Sequence, residues 1–360
     1  MVAVNGRDSK FELLRILSMV MIVAYHVSGS LFSTRILSTS DNIIIIIFGS
    51  WGILGVDLFV LLNCFFYFSR NCDNSNDIGI IGFCDKKIRK IGIQTFTYIC
   101  AFTLLVPIFT DICMVDMLKV FITRMINDPL YSDGYWFISA YITLQFVLPY
   151  IKKLKVSKNL FLIDNILLFM SSQSNSKGFI PAAVHFILIA IFLLHVMKIP
   201  KLKYFFAKYS KVGFLITSFS MFAYTITIFL INENGLLVSG FSAYIGYFLN
   251  VIVSHAIYFH RCSYLIVIDS VFLFYWFLNL KPFKNKGVNV LASLMFGVYL
   301  FHQCPGYDIP NVTVGKLSQF ITNNILLYAV SVLLIMIAGI IVETIRKSLF
   351  KVFNRFSILE

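Results

Sequence analysis

Arg15 and His26 are the residues in this sequence whose types and spacing could do chemistry, because both lie inside one long apolar segment, Phe11 to Phe32 (FELLRILSMVMIVAYHVSGSLF). They are eleven positions apart. On an α-helix that is three turns plus about 20°, so both point the same way, with about 16 Å between them along the axis. A segment of this length and apolarity spans a bilayer, and an ionisable side chain inside one is costly enough to be a functional hypothesis by default. An imidazole can accept a proton from a hydroxyl, as a general base must. A guanidinium stays charged and presents five donors in a planar fork suited to phosphate or carboxylate. The expectation is a fixed cation near one membrane surface with a catalytic imidazole on the same face, near the middle. The structural alternative for Arg15 is a side chain that snorkels to the interface.

Four further positions could take part. Asp57 sits in the apolar run WGILGVDLFVLLNCFFYF, where a carboxylate needs a partner. It either orients His26, pairs with a basic side chain, or bonds the amides of a helix broken near Gly52 and Gly55. Lys87 and Arg89, in FCDKKIRKIG with Lys86 and Lys90, read either as an ordinary topology signal or as a site for the phosphates of a nucleotide-bearing donor. His302, in GVYLFHQ, is a second intramembrane imidazole on the outer, acceptor side, with interfacial hydrogen bonding as its alternative role. His185, His195, His255 and His260 are assigned to packing or the interface.

No metal site is expected. The seven cysteines show no CxxC spacing and are odd in number, which suggests neither a zinc site nor a disulfide framework. There is no GxxxxGK[ST], HExxH or GxSxG. Any chemistry must be built from separate helices around a cavity.

The elements that must position these residues follow from composition. The chain of 360 residues is 59% hydrophobic and 13% charged, with a mean hydropathy of +0.84, far from the soluble average of about 25% charged residues. This is an all-α, polytopic membrane bundle in a single domain over residues 1–360. The net charge of +13 sits in clusters between apolar segments, which is the positive-inside pattern and not a nucleic-acid surface.

Eleven segments are candidate spans: 11–32, 44–68, 91–110, 135–151, 159–171, 179–198, 212–231, 236–258, 262–280, 288–303 and 324–343. Basic residues flank the first and follow the last, which places both termini in the cytoplasm and requires an even number of crossings. The weakest are 159–171, short and containing Asp164, and 236–258, interrupted by Gly240, Ser242 and Gly246. Taking 236–258 as re-entrant gathers more of the Lys and Arg residues on the cytoplasmic side, so about ten spans are expected. The first span is read as retained and not as a cleaved signal. The acidic stretch with Asp111, Asp116, Asp128 and Asp133 is read as a solvated outer face.

Taken together, Arg15 with ten residues before His26, GVDLFVLL, the basic cluster before the third span, YWFISAYITLQFVLPYI and GVYLFH resemble the acyltransferase family 3 membrane proteins. The resemblance covers most of the chain in order, more weakly from about 171 to 261. It implies a multi-pass O-acyltransferase of the bacterial cell membrane. Such a protein moves an acetyl or other acyl group from cytoplasmic acetyl-CoA to a sugar hydroxyl of a cell-surface or capsular polysaccharide or its lipid-linked precursor. Acetyl-CoA is then a substrate, with no bound cofactor, and the partners are the glycan acceptor and membrane lipid.

The resemblance carries catalytic roles to Arg15 and His26, and donor binding to Lys87 and Arg89. It also shows two departures: Lys87 stands where the family has arginine, and Asn63–Cys64 replaces a small pair containing glycine. No hydrolase-like domain is expected after the last span, so transfer falls to the bundle itself or to a partner. His26 either deprotonates the sugar hydroxyl or carries the acyl group. The competing class is a flippase or exporter of lipid-linked glycan, in which the same residues line a path and no bond is made.

Overall fold

The computed structural model describes residues 8–35, 37–70, 77–109, 113–127, 135–172, 179–233, 264–304 and 307–356. All regular structure among them is helical. The helices are α1 (Ser9–Thr34), α2 (Thr39–Ser50), α3 (Gly52–Phe68), α4 (Asp77–Phe109), α5 (Met114–Asn127), α6 (Trp136–Lys153) and α7 (Lys158–Ser172). They continue with α8 (Phe179–Lys198), α9 (Pro200–Glu233), α10 (Tyr264–Asn279), α11 (Lys286–Ala292), α12 (Met295–His302), α13 (Ile309–Leu317) and α14 (Asn324–Phe356).

Four helical stretches among the described residues are long and apolar enough to cross a membrane: Ser9–Thr34, Thr39–Phe68, Ile180–Lys198 and Asn324–Lys351. Large apolar side chains face outward on several helices, among them Leu162, Ile180, Ile216, Phe219 and Leu333. A soluble protein avoids such a surface and a lipid-facing one requires it. The segment 236–258, which contains His255, lies outside the described residues, as does His260.

The chain divides into two compact units. The first comprises Met1–Gly52, Ile93–Asn127 and Lys281–Glu360. Here α1 is the central element, packed by α2, α11, α12, α13 and α14. It starts where the Asp8 carboxylate accepts from the backbone N–H of Lys10, satisfying one of the unpaired amides of a first turn. It ends where Arg35 turns to extended backbone. Gly49 and Gly52 let the second span approach, since a Cβ at either would overlap Ser28 or Tyr25 of α1.

At one end of this unit the Ser9 N–H donates to Phe283 O at 2.9 Å, and Asn285 N–H donates to Ser9 Oγ at 2.7 Å. At the other, the Arg35 guanidinium donates to the carbonyls of Ser318, Ile321 and Thr322 and to Asn324 Oδ1, at 2.6 to 2.9 Å.

The segment expected to form one span over 288–303 is two helices, broken at Ser293–Leu294. A cation from another helix meets the break: Lys347 Nζ donates to Ser293 O at 2.8 Å and Ser293 Oγ at 3.1 Å. The Ser293 hydroxyl in turn donates to Val290 O at 2.6 Å. The stretch read as an acidic loop contains a helix, α5, in which Asp116 and Lys119 form an exposed ion pair at 3.5 Å. Asp111, Asp128 and Asp133 lie outside the described residues.

The second unit comprises Ile53–Gly92 and Asp128–Leu280. In it α6 packs on α8, α7 on α8, and α9 on both α8 and α10. Aromatic contacts fix α3 to its neighbours: Phe59 against Phe137 of α6 at 6.4 Å, and Phe65 against Phe274 of α10 at 5.3 Å between centroids. Buried Asp269 of α10 accepts from the hydroxyls of Thr217 and Ser218 on α9. Gly213 makes the close approach there possible, because a Cβ would overlap the Phe272 ring.

Candidate active site

Residues 9–34 form one unbroken helix, so Arg15 and His26 share a face as their spacing predicts. His26 is half-buried. The Gln303 amide nitrogen lies 2.8 Å from His26 Nε2; an amide N–H only donates, so Nε2 accepts and the ring proton is on Nδ1. The His302 ring is 5.2 Å from the His26 ring, and Tyr299 is 5.6 Å from His302. His302 is buried, its Nδ1 donating to Val298 O at 3.1 Å. Its Nε2 has no hydrogen-bond partner among the described residues.

The two imidazoles read separately from the sequence therefore adjoin. The break at Ser293 resets the helix that delivers His302 and Gln303 to them. Gln303 was not legible as a site residue: it is 277 positions from His26, and only packing joins the two.

Arg15 Nη1 donates to Glu12 Oε1 at 2.6 Å. Glu12 is buried while Arg15 is half-buried, so the carboxylate holds one edge of the fork and orients the rest. This partner was legible, since residues three apart on a helix are neighbours.

A buried acid was missed in the same unit. Glu343 of α14 accepts from Tyr98 OH at 3.0 Å, Gln94 Nε2 at 3.2 Å, and Arg346 Nε and Nη2 at 2.8 and 2.7 Å. Gly297 of α12 leaves the space for it, since a Cβ there would collide with the Glu343 side chain.

The second unit holds the other candidates. Asp57 is fully buried, and its partner is His185 of α8, Oδ1 to Nε2 at 3.3 Å. His185, assigned to packing, is thus a polar partner of the candidate carboxylate. Lys87 is half-buried: its ammonium donates to Asn63 Oδ1 and lies 5.1 Å from the Tyr141 ring centroid. Arg89 is exposed. His195 Nδ1 donates to Ile191 O at 2.8 Å and the ring packs on Phe161, as a structural histidine does. No cluster of metal-ligating side chains occurs among the described residues.

A family model described as an acyltransferase domain, Acyl_transf_3, matches residues 8–344. The chain belongs to the acyltransferase 3 family. No curated protein and no solved structure matches it. The match begins at the residue that caps α1 and ends just past Glu343, so it takes in segments of both units and every candidate site residue.

Acyl transfer sets two demands on such a family member: removal of a proton from the attacking group, and binding of the acyl carrier. The residues present are chemically competent for both. An imidazole with its Nε2 lone pair directed at a displaceable amide can take a proton. Arg15 in the first unit, and Lys87 and Arg89 in the second, are cations of the kind that pair with phosphate.

Proposed function

We propose that this membrane acyltransferase is an O-acyltransferase that moves an acetyl group from cytoplasmic acetyl-CoA to a sugar hydroxyl. The acceptor is a cell-surface or capsular polysaccharide or its lipid-linked precursor. The observation that carries the proposal is the His26–Gln303 pair, set three turns along one helix from Arg15 in a chain matched to the family over nearly its whole length.

In this reading the sugar hydroxyl replaces Gln303 at His26 Nε2. His26 takes the hydroxyl proton as the oxygen attacks the thioester carbonyl. The carbon–sulfur bond then breaks, and the imidazolium returns the proton to the CoA sulfur. An acyl-imidazole on His26 is the alternative route to the same products. His302, whose Nε2 has no partner among the described residues, stands on the acceptor side. Arg15 of the first unit, and Lys87 and Arg89 of the second, are the candidates for the donor phosphates, and Asp57 supports the second unit through His185.

The proposed topology is about ten spans in one domain, in the bacterial cell membrane, with both termini cytoplasmic. Two contacts favour it: the amino end of α1 is bonded to the 283–285 segment, and Lys347, near the carboxyl end, to Ser293. These segments therefore lie at one end of the first unit.

The test is transfer of radiolabelled acetyl from acetyl-CoA into glycan by isolated membranes. Incorporation that depends on the protein and is lost in His26→Ala is expected. Glycan translocation without incorporation would identify a flippase and overturn the proposal.

A further inference from the structure

We propose that Asn63 is a positioning residue of the acyl-donor site, acting with Lys87 as a two-donor fork for a phosphoryl oxygen. This rests on the reading of Lys87 as a donor contact. The side-chain oxygen of Asn63 accepts from the Lys87 ammonium. The other end of the same amide, Nδ2, is buried and has no hydrogen-bond partner among the described residues. A buried amide nitrogen carries two N–H donors whose only remedy is an acceptor. An ammonium beside it makes that acceptor an anion.

Tyr141 completes the arrangement. Its ring lies against the Lys87 ammonium, 5.1 Å to the centroid, and is itself stacked on Phe137 at 5.6 Å and 28°. The lysine is therefore held on two sides, by an amide and by an aromatic face.

A lysine supplies a cation but lacks the planar pair of donors that an arginine presents. The Asn63 amide, held at the Lys87 ammonium through its oxygen, adds the second donor through its Nδ2.

The test is a donor titration in membrane vesicles for Asn63→Ala, Asn63→Ser, Lys87→Ala, Lys87→Arg and the Lys87→Arg/Asn63→Ala pair, at matched membrane abundance. Losing a hydrogen bond to a charged group predicts a rise of about tenfold or more in KM for acetyl-CoA in both Asn63 variants, with a smaller change in kcat. With acetyl-pantetheine, which lacks the nucleotide phosphates, KM should be the same for wild type and Asn63→Ala. Lys87→Arg alone should be impaired, because the larger head group meets Asn63. Adding Asn63→Ala should restore it.

An unchanged KM in both Asn63 variants, or a double variant no better than Lys87→Arg, overturns the proposal. An equal rise with both donors also overturns it. If Lys87→Ala leaves the acetyl-CoA dependence untouched, the donor reading of Lys87 fails first. If that variant raises KM and the Asn63 variants do not, only the role of Asn63 fails. Repeating the titration in phosphatidylcholine vesicles with and without anionic lipid separates the sources of phosphate. An effect of Asn63→Ala that appears only with anionic lipid assigns the oxygen to a headgroup and overturns the donor role.

Discussion

Gln303 donates to His26 Nε2 at 2.8 Å, so the nitrogen that would remove a substrate proton is already directed at a hydrogen-bond donor. An incoming hydroxyl has only to exchange for that amide. His26→Ala should reduce glycan acylation by about a hundredfold to ten-thousandfold, the range for loss of a general base, and by more if His26 carries the acyl group. Gln303→Leu keeps the imidazole and removes only what orients it, so a smaller loss in kcat with an unchanged donor KM is expected. Initial rates in membranes at matched abundance check both. Wild-type acylation in His26→Ala would make the imidazole structural.

If Arg15 and Arg89 contact the donor as proposed, donor binding separates from chemistry at these two residues. Arg15 is held by Glu12 at 2.6 Å, and Arg89 is exposed. Arg15→Lys loses the planar fork and Arg89→Ala loses a cation, so each should raise the acetyl-CoA concentration needed more than it lowers the saturated rate. A lowered maximal rate with unchanged donor dependence in Arg15→Lys would move that residue to the thioester, beside His26.

What the sequence disclosed and what it withheld differ in range. The Arg15–His26 face was legible because one helix fixes it, and Glu12–Arg15 and Glu343–Arg346 are three-residue neighbours of the same kind. Glu343 was nevertheless passed over, since at the edge of a span an acid reads as a boundary and not as a buried group with four donors. The pairings His26–Gln303, Asp57–His185 and Lys87–Asn63 join different helices. No periodicity encodes such contacts. The contact at the Ser293 break was equally hidden, because the cation that meets it, Lys347, lies 54 positions away.

Topology has a direct check. Ser9 bonds the 283–285 segment, so if the amino terminus is cytoplasmic, position 284 must be too, and the basic tail follows by the positive-inside rule. On a background without native cysteines, Lys284→Cys and Lys351→Cys should resist an impermeant thiol reagent added to intact cells and react after permeabilisation. Ready labelling of both in intact cells would reverse the orientation.

The Glu343 carboxylate is a stability element on the same unit as His26. It is fully buried and takes hydrogen bonds from Gln94, Tyr98 and Arg346. Glu343→Ala would leave the Arg346 guanidinium facing a buried void, and removing one partner of a buried ion pair costs about 3–5 kcal/mol. Glu343→Gln keeps the shape and one acceptor, so a smaller loss is expected. Replacing both members, Glu343→Leu with Arg346→Met, removes the orphaned charge and should recover much of what Glu343→Ala loses. Thermal unfolding of the detergent-purified variants, read as the shift in Tm, orders the three. If Glu343→Ala unfolds at the wild-type temperature but has lost acyl transfer, the carboxylate serves the reaction and not the fold.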